Sequence, residues 1–129
     1  GVHVGQSDME AGDVRAKLGD NKIIGVSVHT VEEAVKAQER GADYLGVGAV
    51  FTTSTKKDAD FVSYDVLKDI CASVAIPVCA IGGIYKHNIM QLAGSGIDGV
   101  ALVSAIFAAK DIEKECNELL SLSKRMVRA

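Results

Sequence analysis

Apolar stretches rich in β-branched and small residues alternate along this chain with segments whose apolar positions recur at helical spacing. The first kind covers Val2–Val4, Ile23–Val28, Tyr44–Val50, Pro77–Ile81 and Gly99–Val103 and predicts five strands. The second kind predicts helices near Ala11–Leu18, Val31–Arg40, Tyr64–Val74, Asn88–Ala93 and Asp111–Val127. Several boundaries carry their own signals. Thr30-Val31-Glu32-Glu33 fits a capping box, with Thr30 as the cap and Glu33 three residues later. Gly41 stands where a helix wants a left-handed residue at its C-terminus. In the last helix Ile112, Cys116, Leu119, Leu120 and Met126 share one apolar face. The sole proline, Pro77, opens a strand, where its missing N–H costs least.

A weak internal repeat supports the alternation. Gly41-Ala42-Asp43-Tyr44-Leu45-Gly46-Val47-Gly48 is matched two βα units later by Gly96-Ile97-Asp98-Gly99-Val100-Ala101-Leu102-Val103. Each Gly-x-Asp is therefore expected to be the turn into an equivalent strand. Alternating βα units imply an α/β fold with a parallel sheet and right-handed crossovers.

Composition narrows the picture. At 129 residues the chain is expected to be one domain, residues 1–129, with a real core. Hydrophobic content is 48% but aromatics only 5%, so small aliphatics and 13 glycines make that core, as suits buried parallel strands. No apolar run approaches the roughly 20 residues of a membrane-spanning helix, and no charged-then-apolar targeting segment is seen, so a soluble protein without a membrane partner is expected. A net charge of -3 and a pI near 5.6 argue against a general nucleic-acid binder. Cys71, Cys79 and Cys116 form an odd set without CxxC spacing, each among apolar neighbours. They read as buried reduced thiols of a cytoplasmic protein, not as a metal site. Gly1 is not an initiator methionine and Val2-His3-Val4 is already strand-like, so the chain is expected to be a fragment that begins inside an element.

Candidate chemistry concentrates after the third strand. Thr52-Thr53-Ser54-Thr55-Lys56-Lys57 follows directly on Tyr44–Phe51. Hydroxyls donate directional hydrogen bonds to phosphate oxygens, and lysine adds a mobile positive charge. A solvated loop would look similar. Two more strand ends of the same kind, Ile81-Gly82-Gly83-Ile84 and Leu102-Val103-Ser104-Ala105, favour the anion reading. Three such ends on one rim make a phosphate-handling site.

The residues also match a known series. Gly1-Val2-His3-Val4-Gly5-Gln6-Ser7-Asp8-Met9, Gly25-Val26-Ser27-Val28-His29-Thr30, Gly41-Ala42-Asp43-Tyr44 and Gly46-Val47-Gly48 occur in order, followed by Thr53-Ser54-Thr55-Lys56-Lys57, Ala80-Ile81-Gly82-Gly83-Ile84 and Asp98-Gly99-Val100-Ala101. This series resembles the thiamine-phosphate synthase (thiamine-phosphate pyrophosphorylase) family over essentially the whole chain. The resemblance implies a (βα)8 TIM barrel, here a partial barrel covering about strands four to eight, with the first three βα units absent. It implies a transferase of thiamine biosynthesis that joins hydroxymethylpyrimidine diphosphate to thiazole phosphate, releasing diphosphate, with Mg2+.

Carried over by motif, Asp8 resembles a magnesium carboxylate, where the residues alone would favour a helix cap. Ser27 resembles the contact to the pyrimidine diphosphate. His29 shares its strand face at i, i+2 and reads better as a satisfied structural histidine. Thr53, Ser54 and Thr55 look like the thiazole-phosphate loop, and Lys56 like the lysine that reaches the diphosphate; Ser27 and Lys56 are thus the implied catalytic residues. Gly83 resembles the glycine whose backbone approaches the thiazole phosphate, and Val103 and Ser104 the last phosphate clamp. His3 reads as lumen packing and His87 as a surface loop residue.

Departures matter too. Ala49 and Thr52 stand where the family usually has proline, and Glu10 where it often does. A glutamine–arginine–lysine strand and an asparagine–aspartate pair of the family have no counterpart, so the isolated chain is expected to be inactive. Its edge strands, Val2–Val4 and Gly99–Val103, are expected to self-associate or to pair with the missing N-terminal part. A thiazole tautomerase tends to place histidine where Ala49 stands and lacks the full Thr-x-Thr-Lys loop, which favours the synthase. A non-catalytic phosphate-ligand binding barrel fragment is the reading from another class.

Overall fold

The computed structural model describes residues 1–51 and 61–129. Among them five strands, β1 (Val2–Val4), β2 (Ile24–Val28), β3 (Tyr44–Val47), β4 (Val78–Ile81) and β5 (Gly99–Ala101), form one parallel sheet in the order β1-β2-β3-β4-β5. The helices are α1 (Ala11–Leu18), α2 (Val31–Glu39), α3 (Tyr64–Ser73), α4 (Ser104–Phe107) and α5 (Ile112–Arg128). The predicted alternation of strand and helix is borne out.

One expected helix changes. The helix expected near Asn88–Ala93 is a single 3-10 turn, Ile89–Leu92, because the Asn88 side chain binds Gly83 and Tyr85 and gives it no cap. The helix start expected after Val103-Ser104 is the short α4, whose four residues are too few to show a helical period. Caps elsewhere follow the sequence. Thr30 Oγ1 accepts from the Glu33 amide at 3.1 Å, but Glu33 reaches back to the His29 amide, one residue beyond the expected box. Gly41, at φ 100°, closes α2 with paired bonds from Gly41 N to Gln38 O and from Ala42 N to Ala37 O. Asp111 caps α5 by accepting from Lys114 N.

Strand register sorts side chains to two faces. Ile24, Val26, Val28, Leu45, Val47, Val78 and Ala80 are buried on the helical face. There they join Ala34 and Ala37 of α2, Leu67 and Ile70 of α3, Ile89 and Leu92, and Met126 of α5. Full burial of each Leu, Ile or Val contributes about 1.5–3 kcal/mol. On α5 the apolar face is narrower than expected: Leu119 and Met126 are buried, whereas Ile112 and Leu120 are exposed.

The opposite face was expected to be buried as well and is only partly so, with Gly25 and Gly46 buried. It carries His3, Gly25, Ser27, Tyr44, Gly46, Cys79 and Gly99, in register across the sheet. His3 is exposed, and Ser27, Tyr44, Cys79 and Gly99 are half-buried. Small and polar residues predominate there, and the His3 and Tyr44 side chains lie over Gly25.

At the amino-terminal edge of the sheet the repeat becomes visible as structure. Asp43 Oδ2 accepts from Ile24 N at 2.8 Å, while Asp43 N donates to Ile24 O at 2.8 Å. Asp98 does the same to Val78, at 2.9 and 2.8 Å. Each Gly-x-Asp therefore clamps the start of the preceding strand. Arg15 reinforces the first clamp, donating to Asp43 Oδ2 and to the carbonyls of Gly19, Lys22 and Gly41 at 2.7–2.9 Å.

Candidate functional site

The carboxyl ends of the strands form the opposite edge. After β1 the chain turns at Gly5, where Asp8 Oδ2 accepts from Gly5 N at 2.7 Å and Asp8 N donates to Gly5 O at 3.2 Å. Asp8 is exposed on this turn and does not cap α1. That role belongs to Glu10, which accepts from the Gly12 and Asp13 amides and pairs with Arg40. The hydrogen bond from Arg40 holds the Glu10 carboxyl below its ordinary value.

Ser27 lies near the end of β2 on the open face. Its Oγ is 2.7 Å from His3 Nε2, and His3 Nδ1 is 2.8 Å from the Tyr44 hydroxyl. Gln6 Nε2 donates to the Ser27 carbonyl at 2.8 Å. A hydrogen-bonded chain thus crosses β3, β1 and β2. His3 is not mere packing; it fixes the Ser27 hydroxyl. His29 falls beyond the end of β2, so strand alternation no longer applies to it. Its Nδ1 is 3.4 Å from Glu33 Oε1, the structural role expected.

Beyond β3 the backbone keeps contact with β4. Val50 N donates to Ile81 O at 3.0 Å and Phe51 N to Gly82 O at 3.1 Å. Val62 N then donates to Ala49 O at 2.8 Å. Phe51 and Val62, on either side of residues 52–60, are therefore both anchored at the rim beside the Gly82-Gly83 turn. Thr53, Ser54, Thr55 and Lys56 lie outside the described residues.

Gly82 and Gly83 have φ of 101° and 68°, and a side chain on Gly82 would collide with Ala49. The left-handed backbone already requires glycine at position 83, before any ligand is considered. Asn88 Nδ2 donates to Gly83 O at 2.8 Å. Past β5, Val103 is exposed and precedes α4, whose first residue is Ser104. The Ser104 hydroxyl is 2.7 Å from the Tyr85 hydroxyl.

Ser27, Gly83, Val103 and Ser104 thus stand at the carboxyl ends of β2, β4 and β5 in one parallel sheet, and Asp8 at the turn after β1. Two clefts flank this rim. One of about 120 Å³ includes Gln6, Asp8, Glu10, Lys36 and Arg40 in its lining. The other, about 390 Å³, runs behind Ser104 along Tyr85, Lys86, Lys110 and Lys114. Lys86 is held by Glu115 and Glu118, each at 3.0 Å.

No group of three or more His, Cys, Asp or Glu able to hold a metal occurs among the described residues. Asp8 offers a single exposed carboxylate, the sparse protein contribution that Mg2+ usually takes. The cysteines are free thiols but half-buried, not buried as expected. Burial pushes the Cys71 thiol up to about 11, with the Asp98 charge adding to it, and burial alone raises that of Cys79. Neither suits a nucleophile.

Sequence reasoning missed Gln6, Tyr44, Tyr85 and Asn88 as partners of the rim. The register His3–Gly25–Tyr44 could have revealed one of them, because a glycine between two large polar residues leaves room for both.

The chain is similar to known proteins. Thiamine-phosphate synthase of Clostridium tetani is 50% identical over 119 residues, covering 92% of this chain and 57% of that protein. That of Ruminiclostridium cellulolyticum is 53% identical over 122 residues, covering 95% and 58%. The solved thiamine phosphate pyrophosphorylase of Pyrococcus furiosus superposes with a TM-score of 0.88 at 41% identity, over 98% of this chain and 60% of that one. This chain therefore spans somewhat under two thirds of the length of these relatives, and its five-stranded parallel sheet is similar to TIM-barrel-like folds. The family model for thiamine monophosphate synthase matches residues 1–106, from β1 to the middle of α4, and the chain belongs to that family.

Proposed function

We propose that this chain supplies the thiazole side, and part of the diphosphate side, of a thiamine-phosphate synthase. Its five strands correspond in this reading to strands four to eight of a (βα)8 barrel. The reaction joins hydroxymethylpyrimidine diphosphate to thiazole phosphate. The bond from the pyrimidine methylene to the diphosphate oxygen breaks, its electron pair leaving with diphosphate. The thiazole nitrogen then donates its lone pair to the methylene carbon. Little proton transfer is needed, so positioning and charge stabilisation carry the rate.

The observation that carries this reading is the common placement of Ser27, Gly83, Val103 and Ser104 at carboxyl ends of parallel strands, in a chain of this family. Ser27 donates to the diphosphate, its hydroxyl steadied by His3. Lys56 brings positive charge to the leaving group. Thr53, Ser54 and Thr55, with Gly83, Val103 and Ser104, hold the thiazole phosphate and so aim the ring nitrogen. Asp8 is the residue that would hold Mg2+, which supplies charge neutralisation of the diphosphate when bound. The enzyme would act on these small molecules in the cytoplasm.

Formation of thiamine phosphate by the gene's full product, assayed with both substrates and Mg2+, tests the reading. Product is expected, and Ser27→Ala should slow its formation at unchanged stability. A folded full product that binds thiazole phosphate but forms no thiamine phosphate would overturn the enzyme reading in favour of a binding module.

A further inference from the structure

Tyr85 sits two residues past Gly83, and its hydroxyl lies 2.7 Å from that of Ser104. This contact ties the loop after β4 to the first residue of α4. The Tyr85 backbone is firmly held. Its amide donates to Asn88 Oδ1 at 2.8 Å, and its carbonyl accepts from Asn88 N and Ile89 N at 3.1 and 3.0 Å. Its ring lies within 9° of parallel to that of His87, with centroids 5.5 Å apart. Asn88 also donates to the Gly83 carbonyl, so one residue fixes both the glycine turn and the tyrosine.

A serine hydroxyl has one proton to give and two lone pairs to receive. Either oxygen can donate in this contact, and the more acidic phenol is the stronger donor toward Ser104 Oγ. An alcohol that accepts a hydrogen bond becomes a better donor, and its proton is left for an acceptor on the rim. Phosphate oxygens are such acceptors. We propose that Tyr85 is a positioning residue for the phosphate end of the thiazole substrate, orienting and polarising the Ser104 hydroxyl toward it. The inference rests on the reading of Ser104 as a phosphate contact. Both residues also line the cleft behind α4, so without the phenol the Ser104 hydroxyl is open to water from that side.

The test is steady-state kinetics of the full-length enzyme with Tyr85→Phe, Ser104→Ala and the double variant, using thiazole phosphate and the unphosphorylated thiazole alcohol. Tyr85→Phe should raise KM for thiazole phosphate about threefold to tenfold, the worth of one hydrogen bond. The KM for the pyrimidine diphosphate, and the use of the thiazole alcohol, should stay as they were. The double variant should be no worse than Ser104→Ala. If Ser104→Ala impairs thiazole phosphate use and Tyr85→Phe does not, the positioning role is overturned and the phosphate site stands. If Ser104→Ala has no effect, the phosphate reading and this inference fall together. Additive losses in the double variant, or equal losses for both thiazoles, would also overturn it, because they mark a merely structural tyrosine.

Discussion

The two edges of the sheet are built on opposite plans. At the amino-terminal edge the same device occurs twice, Asp43 on Ile24 and Asp98 on Val78, with main chain and side chain both engaged. At the carboxyl edge Ser27 and Ser104 each have one side-chain partner among the described residues, His3 and Tyr85, which leaves further hydrogen-bonding capacity on each hydroxyl. Carboxylates paired to strand amides fix strands; partly engaged hydroxyls remain able to take a ligand. In parallel α/β folds the division is general, with stability at one end of the strands and chemistry at the other.

Substitutions can break or sharpen that contrast. The largest effect is expected at the rim. Lys56→Ala should lower turnover roughly 10²- to 10³-fold, as loss of one transition-state charge partner does, while leaving the urea midpoint in place. A shifted midpoint with normal turnover would put Lys56 on the wrong side of the comparison.

Next comes the clamp. Asp98→Ala leaves the amide of buried Val78 without its acceptor and should cost about 1–3 kcal/mol in urea denaturation. Asp43→Ala should behave alike, since Ile24 is likewise buried. Both variants should keep wild-type KM values in the folded fraction. Altered substrate affinity with intact stability would erase the division of labour.

The smallest effect is on pH dependence. The Ile24 amide, and after it Arg15, hold the Asp43 carboxyl below its ordinary 3.8. A carboxyl depressed in the folded state adds stability that is complete above the unfolded value and is lost as pH falls through the folded one. Asp43→Asn should therefore flatten the acid limb of the stability curve below about pH 4, and only there. An unchanged acid limb, read by denaturation from pH 2 to 6, would show that Asp43 contributes no charge-dependent stability.

Much of this was legible in the chain. The βα alternation, the Thr30 cap, the Gly41 turn and the Gly-x-Asp repeat are local patterns, and local patterns survive folding. The apolar face of α5 was read too wide, because spacing alone does not say that Leu120 points away from the sheet side. What stayed hidden was set by register and by contacts between loops. His3, Ser27 and Tyr44 meet only because three strands align at those residues, and Tyr85 meets Ser104 only because the β4 loop lies against α4. Neither pairing has a one-dimensional signature. The Thr53–Lys56 stretch was the strongest chemical signal in the sequence, and the fold adds to it only the anchoring of Phe51 and Val62 on either side.

The glycines of the open face govern the order in which this protein can change. A methyl group added at Gly25 would strike the rings of Tyr44 and His3, which are side chains and can themselves be replaced. Both rings lie within 3 Å of that methyl position, so alanine becomes admissible there only once both have shifted or been replaced, and those changes come first in evolutionary time. At Gly48 the obstacle is the main-chain oxygen of Ile81, which no substitution removes. One glycine is thus conditional on its neighbours and the other is fixed by the backbone, and a mutational library would separate them as an epistatic site and an invariant one.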